Sequence, residues 1–525
     1  METTVSKEEL DGIEPAVYNR RWTILGALCF ALLGVMLANS SMSIALPQMS
    51  VDLGLSQLTM TWMVNIYALL FASLLFLAGA IGDRYGRKLA LQIGSAIFAV
   101  SALYAAVFAQ TGAELIAARA LMGIGSAFVM PTTLSIVNNV FPRKQRARAI
   151  AVWSAIAGVG MMLGSVVSGI LLEYFTWHSL FYLSVSIAGI GLLINQFIVP
   201  ESHDKDENGI DWLGGVLIAT GIFGIVYGIT EAPSLGFGDT WVALGLIGGA
   251  IATIAFVLWE LRAKSPLLDM SLFKSRGFSV SWVALTLTFL AMAGVFFSIS
   301  QLTQLILGFT PLESSLAMMP LMIPMLILSP LMPTIVKKFG ARATMTTGLL
   351  MVAVAFVIMT TWTADMTYWH LLGVMVLIMS GISATTTPGT NILMASVPRE
   401  RSGMGSAAND LTRELGAVLG VAVLGSVISS VYTNNIAETA GKFTGEVSHA
   451  IESSLAVALQ VLEAAGPQAA ALIHDAEVAW MGALSNAALI AAGIMFVAAA
   501  IAFVALPKQT EETEAETPEN APKEA

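Results

Sequence analysis

Apolar stretches of about twenty residues alternate along the chain with short polar connections. An α-helix rises 1.5 Å per residue, so a stretch of ~20 residues crosses the ~30 Å hydrocarbon core of a bilayer. The pattern predicts fourteen spans, at 22–46, 58–81, 89–109, 114–137, 149–172, 178–199, 211–231, 240–261, 278–307, 313–336, 343–362, 368–391, 404–431 and 479–506. A membrane barrel would need strands of about ten residues alternating in polarity, and no such run occurs. The first stretch follows Arg20 and Arg21, as in a signal peptide. From Trp22 to Leu46 it is a full span rather than a short signal core, so it is read as an uncleaved helix.

Charge placement orients these spans. Lysine and arginine gather in cytoplasmic connections. With the N-terminus inside, the even-numbered connections hold Arg84, Arg87 and Lys88, then Arg143, Lys144, Arg146 and Arg148, then Lys205. Next come Arg262, Lys264, Lys274 and Arg276, then Lys337, Lys338 and Arg342, then Arg399 and Arg401. The odd-numbered connections hold only Lys442. A miscounted span would scramble this alternation, so both termini are predicted to be cytoplasmic.

Composition agrees. The 525 residues are 56% hydrophobic and 11% charged, less than half the charge of an ordinary soluble chain. The net charge of −10 comes largely from acidic ends, at 1–21 and 507–525, which read as solvated tails. No basic run is long enough to suggest nucleic acid. Cys29 is the single cysteine, so no disulfide framework exists. The five histidines are scattered, and no metal-ligand spacing, nucleophile elbow or phosphate loop is present. No enzyme, metal or cofactor is therefore expected. Three connections stand out. Residues 200–210 form a charged linker, 433–478 a long external loop with apolar residues at helical spacing, and 266–278 an amphipathic cytoplasmic connection.

Several strings carry chemistry. Span 2 is followed by Gly79-Ala80-Ile81-Gly82-Asp83-Arg84-Tyr85-Gly86-Arg87-Lys88, a tight basic turn in which glycines permit a sharp backbone. Span 4 contains Arg119 in Arg119-Ala120-Leu121-Met122-Gly123; an arginine inside a span is costly and functional by default, with structural pairing the plain alternative. Span 5 has Gly160, Gly164, Ser165, Ser168 and Gly169, small residues that permit close helix approach. These strings resemble the loop signature, the span-4 coupling motif and, in part, the antiporter motif of the major facilitator superfamily. In span 5, Ser165 stands in place of that motif's proline and Ser168 in place of a glycine. A weaker second copy of the loop, Lys337-Lys338-Phe339-Gly340-Ala341-Arg342, occupies the corresponding place in the second half. Trp62-Met63-Val64-Asn65-Ile66-Tyr67, Met130-Pro131-Thr132-Thr133-Leu134, Trp177-His178, Asp211-Trp212-Leu213-Gly214 and Glu414-Leu415-Gly416-Ala417-Val418-Leu419-Gly420 resemble the fourteen-helix drug:proton antiporter branch, which holds quaternary-ammonium and multidrug exporters.

The resemblance implies an all-α integral membrane fold of two six-helix lobes, 22–199 and 277–506, with two further helices and their cytoplasmic connection inserted at 211–276. It implies a bacterial inner (plasma) membrane transporter that is monomeric and has no partner beyond lipid, protons and a small-molecule substrate. Multidrug efflux and antibiotic resistance are the associated roles. Asp83, Arg84, Gly86 and Arg87 are expected to control the conformational switch, and Arg119 to take part in proton coupling.

Two departures bear on the substrate. Ala38 and Asn65 stand where this branch commonly carries acids in spans 1 and 2. Without those carboxylates, attraction of a lipophilic cation is weakened, and neutral or anionic substrates gain weight. The remaining acids inside the bilayer are read as Asp410 and Glu414 of span 13, four apart on one face, with Arg413 between them. A carboxylate in apolar surroundings can exchange protons near neutral pH, while a local pair with Arg413 would only satisfy charge. Asn39, Asn65, Asn138, Gln301, Gln304, Asn391 and Met325 are the residues expected to line a substrate cavity, although helix-to-helix hydrogen bonds would use the amides equally well. The reading is proton-coupled export of hydrophobic or amphipathic compounds. A dedicated metabolite carrier with altered coupling is the alternative, and a membrane sensor or assembly protein without flux is a third.

Overall fold

The computed structural model describes residues 13–203, 209–397, 402–464 and 469–506. Most of both acidic tails, the centre of the 200–210 linker with Lys205, and Arg399 and Arg401 lie outside these residues. The chain is a set of helices. The first six are α1 (Pro15–Leu53), α2 (Gln57–Tyr85), α3 (Arg87–Val107), α4 (Gly112–Val140), α5 (Arg143–Tyr174) and α6 (His178–Ile198). The inserted pair is α7 (Trp212–Leu235) and α8 (Thr240–Glu260). The second lobe comprises α9 (Arg276–Gln301), α10 (Pro311–Met318), α11 (Ile323–Phe339), α12 (Ala341–Met359), α13 (Tyr368–Ala395), α14 (Ser402–Ala440) and α17 (Ala470–Ala505), with α15 (Glu446–Ser453) and α16 (Leu455–Ala464) between the last two. Among the described residues thirteen helical stretches are long and apolar enough to cross a membrane, α10 and α11 counting as one broken span. The fourteenth is α5, whose apolar part runs over Val159–Tyr174.

The helices overrun the predicted spans. α1 begins at Pro15, inside the predicted tail, and α14 and α17 extend into the predicted loop 433–478, leaving room there for the short hairpin α15–α16. Polar residues continue these helices beyond the hydrocarbon because nothing in hydropathy ends a helix; caps do. Ser56 accepts from the Thr59 amide, and Thr111 with Glu114 and Thr310 with Glu313 form reciprocal capping boxes. The tenth span is broken by a 3-10 turn at Met319–Met322, where Pro320 removes a backbone donor. The amphipathic connection 266–278 contains a 3-10 turn at Met270–Lys274, with Leu268 and Leu272 buried.

Each lobe has its own core. α1 to α6 bury one cluster around Leu28, Met63, Phe98 and Phe141, and α9 to α17 another around Leu349, Phe356, Met375 and Trp480. The internal repeat predicted from the two basic loops is visible in the backbone. Gly86 between α2 and α3 and Gly340 between α11 and α12 take positive φ values of 127° and 82°, which side-chain-bearing residues resist. The face bearing these loops is called the basic face below, and the opposite one the far face.

α7 and α8 pack closely because Gly221, Gly224, Gly245 and Gly249 leave no room for a Cβ between their backbones. α7 then lies across the seam between the lobes. Its Ile222 and Val226 pack with Ile66 and Leu69 of α2 and with Val418 and Ala422 of α14. The outer side of α8 presents Leu244, Ile247, Ile251 and Ile254 to the surroundings, as a lipid-facing helix does. Directly between lobes, several close approaches lie toward the far face. Gly169 of α5 meets Pro311 and Ser315 of α10, Gln304 Nε2 donates to the Ile44 carbonyl at 3.1 Å, and Ser454 Oγ donates to the Leu55 carbonyl at 3.2 Å.

Candidate coupling and substrate site

The site is built on α2. Successive residues of Trp62-Met63-Val64-Asn65-Ile66-Tyr67 point in different directions on a helix, and the structure uses each direction. Arg119 of α4, 1% exposed, reaches across to this segment. Its Nε donates to the Met63 carbonyl at 3.2 Å, its Nη1 donates to the Ala38 carbonyl of α1 at 3.3 Å, and its guanidinium carbon lies 4.2 Å from the centre of the Tyr67 ring. Tyr67 is anchored in turn by a 2.7 Å hydrogen bond between its hydroxyl and Ser126 Oγ. Gly123 explains the arginine-glycine spacing. A Cβ there would stand 2.5 Å from the Tyr67 carbonyl oxygen, so glycine permits the approach that puts arginine over tyrosine. No acid within 4 Å pairs with Arg119 among the described residues. Among the described residues its Nη2 has no partner, and beside it lies a small cavity of about 10 Å³ lined by Ser41, Met49, Phe181 and Ser184.

Opposite, α14 carries Asp410, Arg413 and Glu414. Gly416 and Gly420 press this helix onto α9, where a Cβ would meet the Thr286 and Leu290 carbonyls. The acids are thus carried on a tightly packed backbone. Their side chains are half-buried, and Arg413 is exposed. The local ion pair considered from sequence is not formed: among the described residues no bridge within 4 Å joins Arg413 to either acid. Arg413 lies instead over Phe289 of α9, 5.5 Å from its ring centre. Glu414 interacts electrostatically with Arg413 and Asp410 of its own helix and, across the α2–α14 seam, with Tyr67.

The expected cavity residues separate into groups. Asn65 is fully buried, and neither atom of its amide has a partner; Gln301 is 2% exposed with its Nε2 unpartnered. Gln304 is committed to the Ile44 carbonyl and to Ser300 Oγ. Asn39 and Asn138 are half-buried, whereas Asn391 and Met325 are exposed. Asn409, half-buried, accepts from Thr390 Oγ1 at 3.0 Å and ties α13 to α14. The small residues of α5 also divide. Gly160 and Gly164 pack against Met36 and Leu37 of α1 within the lobe, while Gly169 meets the other lobe. Ser165 only bonds back to the Met161 carbonyl at 3.4 Å.

At the basic face, Asp83 accepts from Arg87 Nε at 2.6 Å and from Ser135 Oγ of α4 at 2.7 Å. The Arg87 amide donates to the Ser202 carbonyl and the Lys88 amide to the Glu201 carboxylate. Gly86 leaves space for that carboxylate. Arg84 stays outside this network, over Tyr85 at 5.8 Å. The loop thus ties α2, α3 and α4 to the segment after α6.

Two membrane acids beyond Asp410 and Glu414 correct the sequence reading. α7 continues to Leu235, which places Glu231 within a spanning helix, hydrogen-bonded to Trp62. Glu260 closes α8, 4% exposed, and accepts from the Leu268 amide at 3.1 Å. Asp211 beside it caps α7 and accepts from Trp259 Nε1. Hydropathy ended both spans too near these acids for them to count as buried. Tyr67 was also missed as a functional residue, although its place in the quoted string of span 2 was the available signal.

Comparison with known proteins fits this geometry. Residues 28–421 match the Major Facilitator Superfamily. The multidrug efflux pump LfrA of Mycolicibacterium smegmatis is 34% identical over 93% of this chain and 96% of its own length. The methyl viologen resistance protein SmvA of Salmonella typhimurium is 29% identical over 87% and 92%. The tetracenomycin C resistance and export protein of Streptomyces glaucescens is 28% identical over 78% and 76%. Among solved structures, a bacterial homologue of the human lysosomal transporter Spinster, inward-facing and unoccupied, superposes with a TM-score of 0.65 at 16% identity, over 95% of this chain and 100% of that one. That likeness concerns the fold alone. With two six-helix lobes, a repeated basic loop and a polar seam between the lobes, the chain belongs to the major facilitator superfamily of membrane transporters.

Proposed function

We propose that this protein exports hydrophobic or amphipathic compounds, drugs and antiseptics among them, across the bacterial plasma membrane in exchange for protons. The basic face lies in the cytoplasm, as the lysine and arginine pattern requires. The lobes at 22–199 and 277–506 rock about the seam in alternating access, and the protein works as a monomer. Asp410 and Glu414 carry the protons. Arg119 and Tyr67 sense the charge on Glu414, and Asp83, Arg84, Gly86 and Arg87 govern opening at the basic face.

The observation that carries this reading is the seam itself. An arginine fixed by two carbonyls and an aromatic ring, with no acid within 4 Å among the described residues, lies over Tyr67, and that tyrosine interacts electrostatically with Glu414 of the other lobe. When Glu414 is ionised, attraction to Arg119 favours a closed seam; protonation removes that attraction and frees the lobes to rock. The names of LfrA, SmvA and the tetracenomycin exporter support drugs as cargo.

The test is dye-stimulated proton movement in proteoliposomes with an imposed pH gradient. Asp410→Asn with Glu414→Gln is expected to abolish coupling while dye binding persists. Full-rate coupling in both variants overturns the assignment. A second reading, a carrier for one neutral metabolite, is favoured by Asn65, whose buried and unpartnered amide suits a neutral hydrogen-bonding ligand. Flux of a single compound indifferent to pH would select it.

A further inference from the structure

We infer that the seam between α2 and the inserted helix α7, near the far face, is a second binding site for quaternary and other lipophilic organic cations, distinct from the central seam. Glu231 lies one turn before the end of α7. Its carboxylate accepts from Trp62 Nε1 at 2.7 Å and from Ser234 Oγ at 3.2 Å. Both donors are neutral. Among the described residues no lysine, arginine or histidine lies within 4 Å of it, and Lys442 is the only basic side chain other than histidine in the connections on that face. A carboxylate held only by neutral hydrogen bonds has no cation beside it to balance its charge.

Aromatic rings run from it along the α2–α7 seam: Trp62 is bonded to it, and Tyr227 and Phe223 lie one and two turns away on α7. The Trp62 and Tyr227 ring centres are 6.0 Å apart at 44°, and Tyr227 stacks on Phe223 at 6.4 Å and 12°. Ring faces attract cations that shed water easily, and aromatic cages recognise quaternary ammonium groups in this way. One acid with three rings selects an organic cation. A small, strongly hydrated ion would gain too little from the rings, and an anion or a neutral compound would gain nothing from the acid. The site can be reached: Phe223 and Ser234 are exposed, and Trp62, Tyr227 and Glu231 are half-buried. It is also separate from the coupling site. Trp62 faces α7, whereas Met63 and Tyr67 face Arg119 on α4. A cation held here would be gripped between a lobe helix and the inserted pair, at the end of the path opposite the basic face. A drug cation or the ammonium headgroup of a lipid presents the same chemistry.

The experiment uses the full chain in nanodiscs of phosphatidylglycerol, with tetraphenylphosphonium as the probe. It is done in the Asp410→Asn, Glu414→Gln background, so that loss of antiport cannot decide the result. Saturable binding is expected to remain. Adding Glu231→Gln should weaken it at least tenfold. Adding Tyr227→Leu, which keeps the acid and its bond to Trp62, should weaken it three- to fivefold. Absence of saturable binding overturns the inference. So does Glu231→Gln that lowers the melting temperature but leaves the Kd unmoved, the result expected of a mere anchor between helices. Choline-headgroup lipid in the disc then identifies the source. Competition that depends on Glu231 assigns a lipid headgroup to the site, and no competition assigns a drug cation alone.

Discussion

The two sides of the central seam handle charge in opposite ways. On the N-terminal side, Arg119 is immobilised by the Met63 and Ala38 carbonyls and lies over Tyr67, which is itself bonded to Ser126. On the C-terminal side, among the described residues neither Asp410 nor Glu414 forms an ion pair within 4 Å, and Arg413 lies over Phe289. A fixed positive charge stands on one side of the seam, and acids without a close ion pair stand on a fixed backbone on the other. The proposed proton antiport calls for this asymmetry, because a group that must gain and lose a proton cannot be tied into a permanent pair, whereas the group proposed to read its charge must not move.

Breaking the fixed backbone should have the largest effect. A side chain at Gly420 collides with the Leu290 backbone of α9, so Gly420→Leu is expected to cost more than about 3 kcal/mol by overpacking. Detergent-extracted protein should then lose its monodisperse peak in size-exclusion chromatography. Next comes the fixed charge. Arg119→Lys keeps the charge but cannot span two carbonyls and a ring. Loss of one charge-assisted hydrogen bond, at about 1.5–3 kcal/mol, predicts coupled transport lower by roughly ten- to a hundredfold, with expression unchanged. Retention of even a third of the wild-type rate would mean that charge alone suffices. Asp83→Asn weakens the bonds to Arg87 and Ser135 on the same side of the molecule. Transport is expected to fall about tenfold, equivalent to ~1.4 kcal/mol, while equilibrium dye binding stays within twofold.

Smaller changes sharpen the contrast. Tyr67→Phe keeps the ring under Arg119 and removes only the bond to Ser126, worth about 1 kcal/mol, so the rate should fall severalfold. Arg413→Ala on the free side removes no ion pair within 4 Å. Thermal unfolding should register at most about 1 kcal/mol, the scale of one cation–π contact. A larger loss would show that Arg413 braces the acids after all.

Much of the fold was legible because lipid is an unforgiving solvent. Backbone groups must be satisfied within each span, so length and apolarity announce the helices. The special place of Arg119 was legible because buried charge is costly wherever it sits, and the structure buries it. Glu231 and Glu260 were not, since both fall at the last positions of the predicted spans 211–231 and 240–261, and a place at a span's end does not say whether a side chain is buried. Nor was the missing pair at Arg413, because spacing of three on a helix permits a contact without requiring it.

The sequence by itself determined the number of spans, their likeness to the major facilitator family and the identity of the charged residues within them. Only the tertiary structure decided that Arg119 reads Tyr67, that Gly169 serves the other lobe while Gly160 and Gly164 serve their own, and that Glu231 has rings for neighbours. Membrane insertion depends on each segment's own solvation, a sum over local residues. Partnership between side chains depends on which faces of different helices meet, and no local sum contains that information.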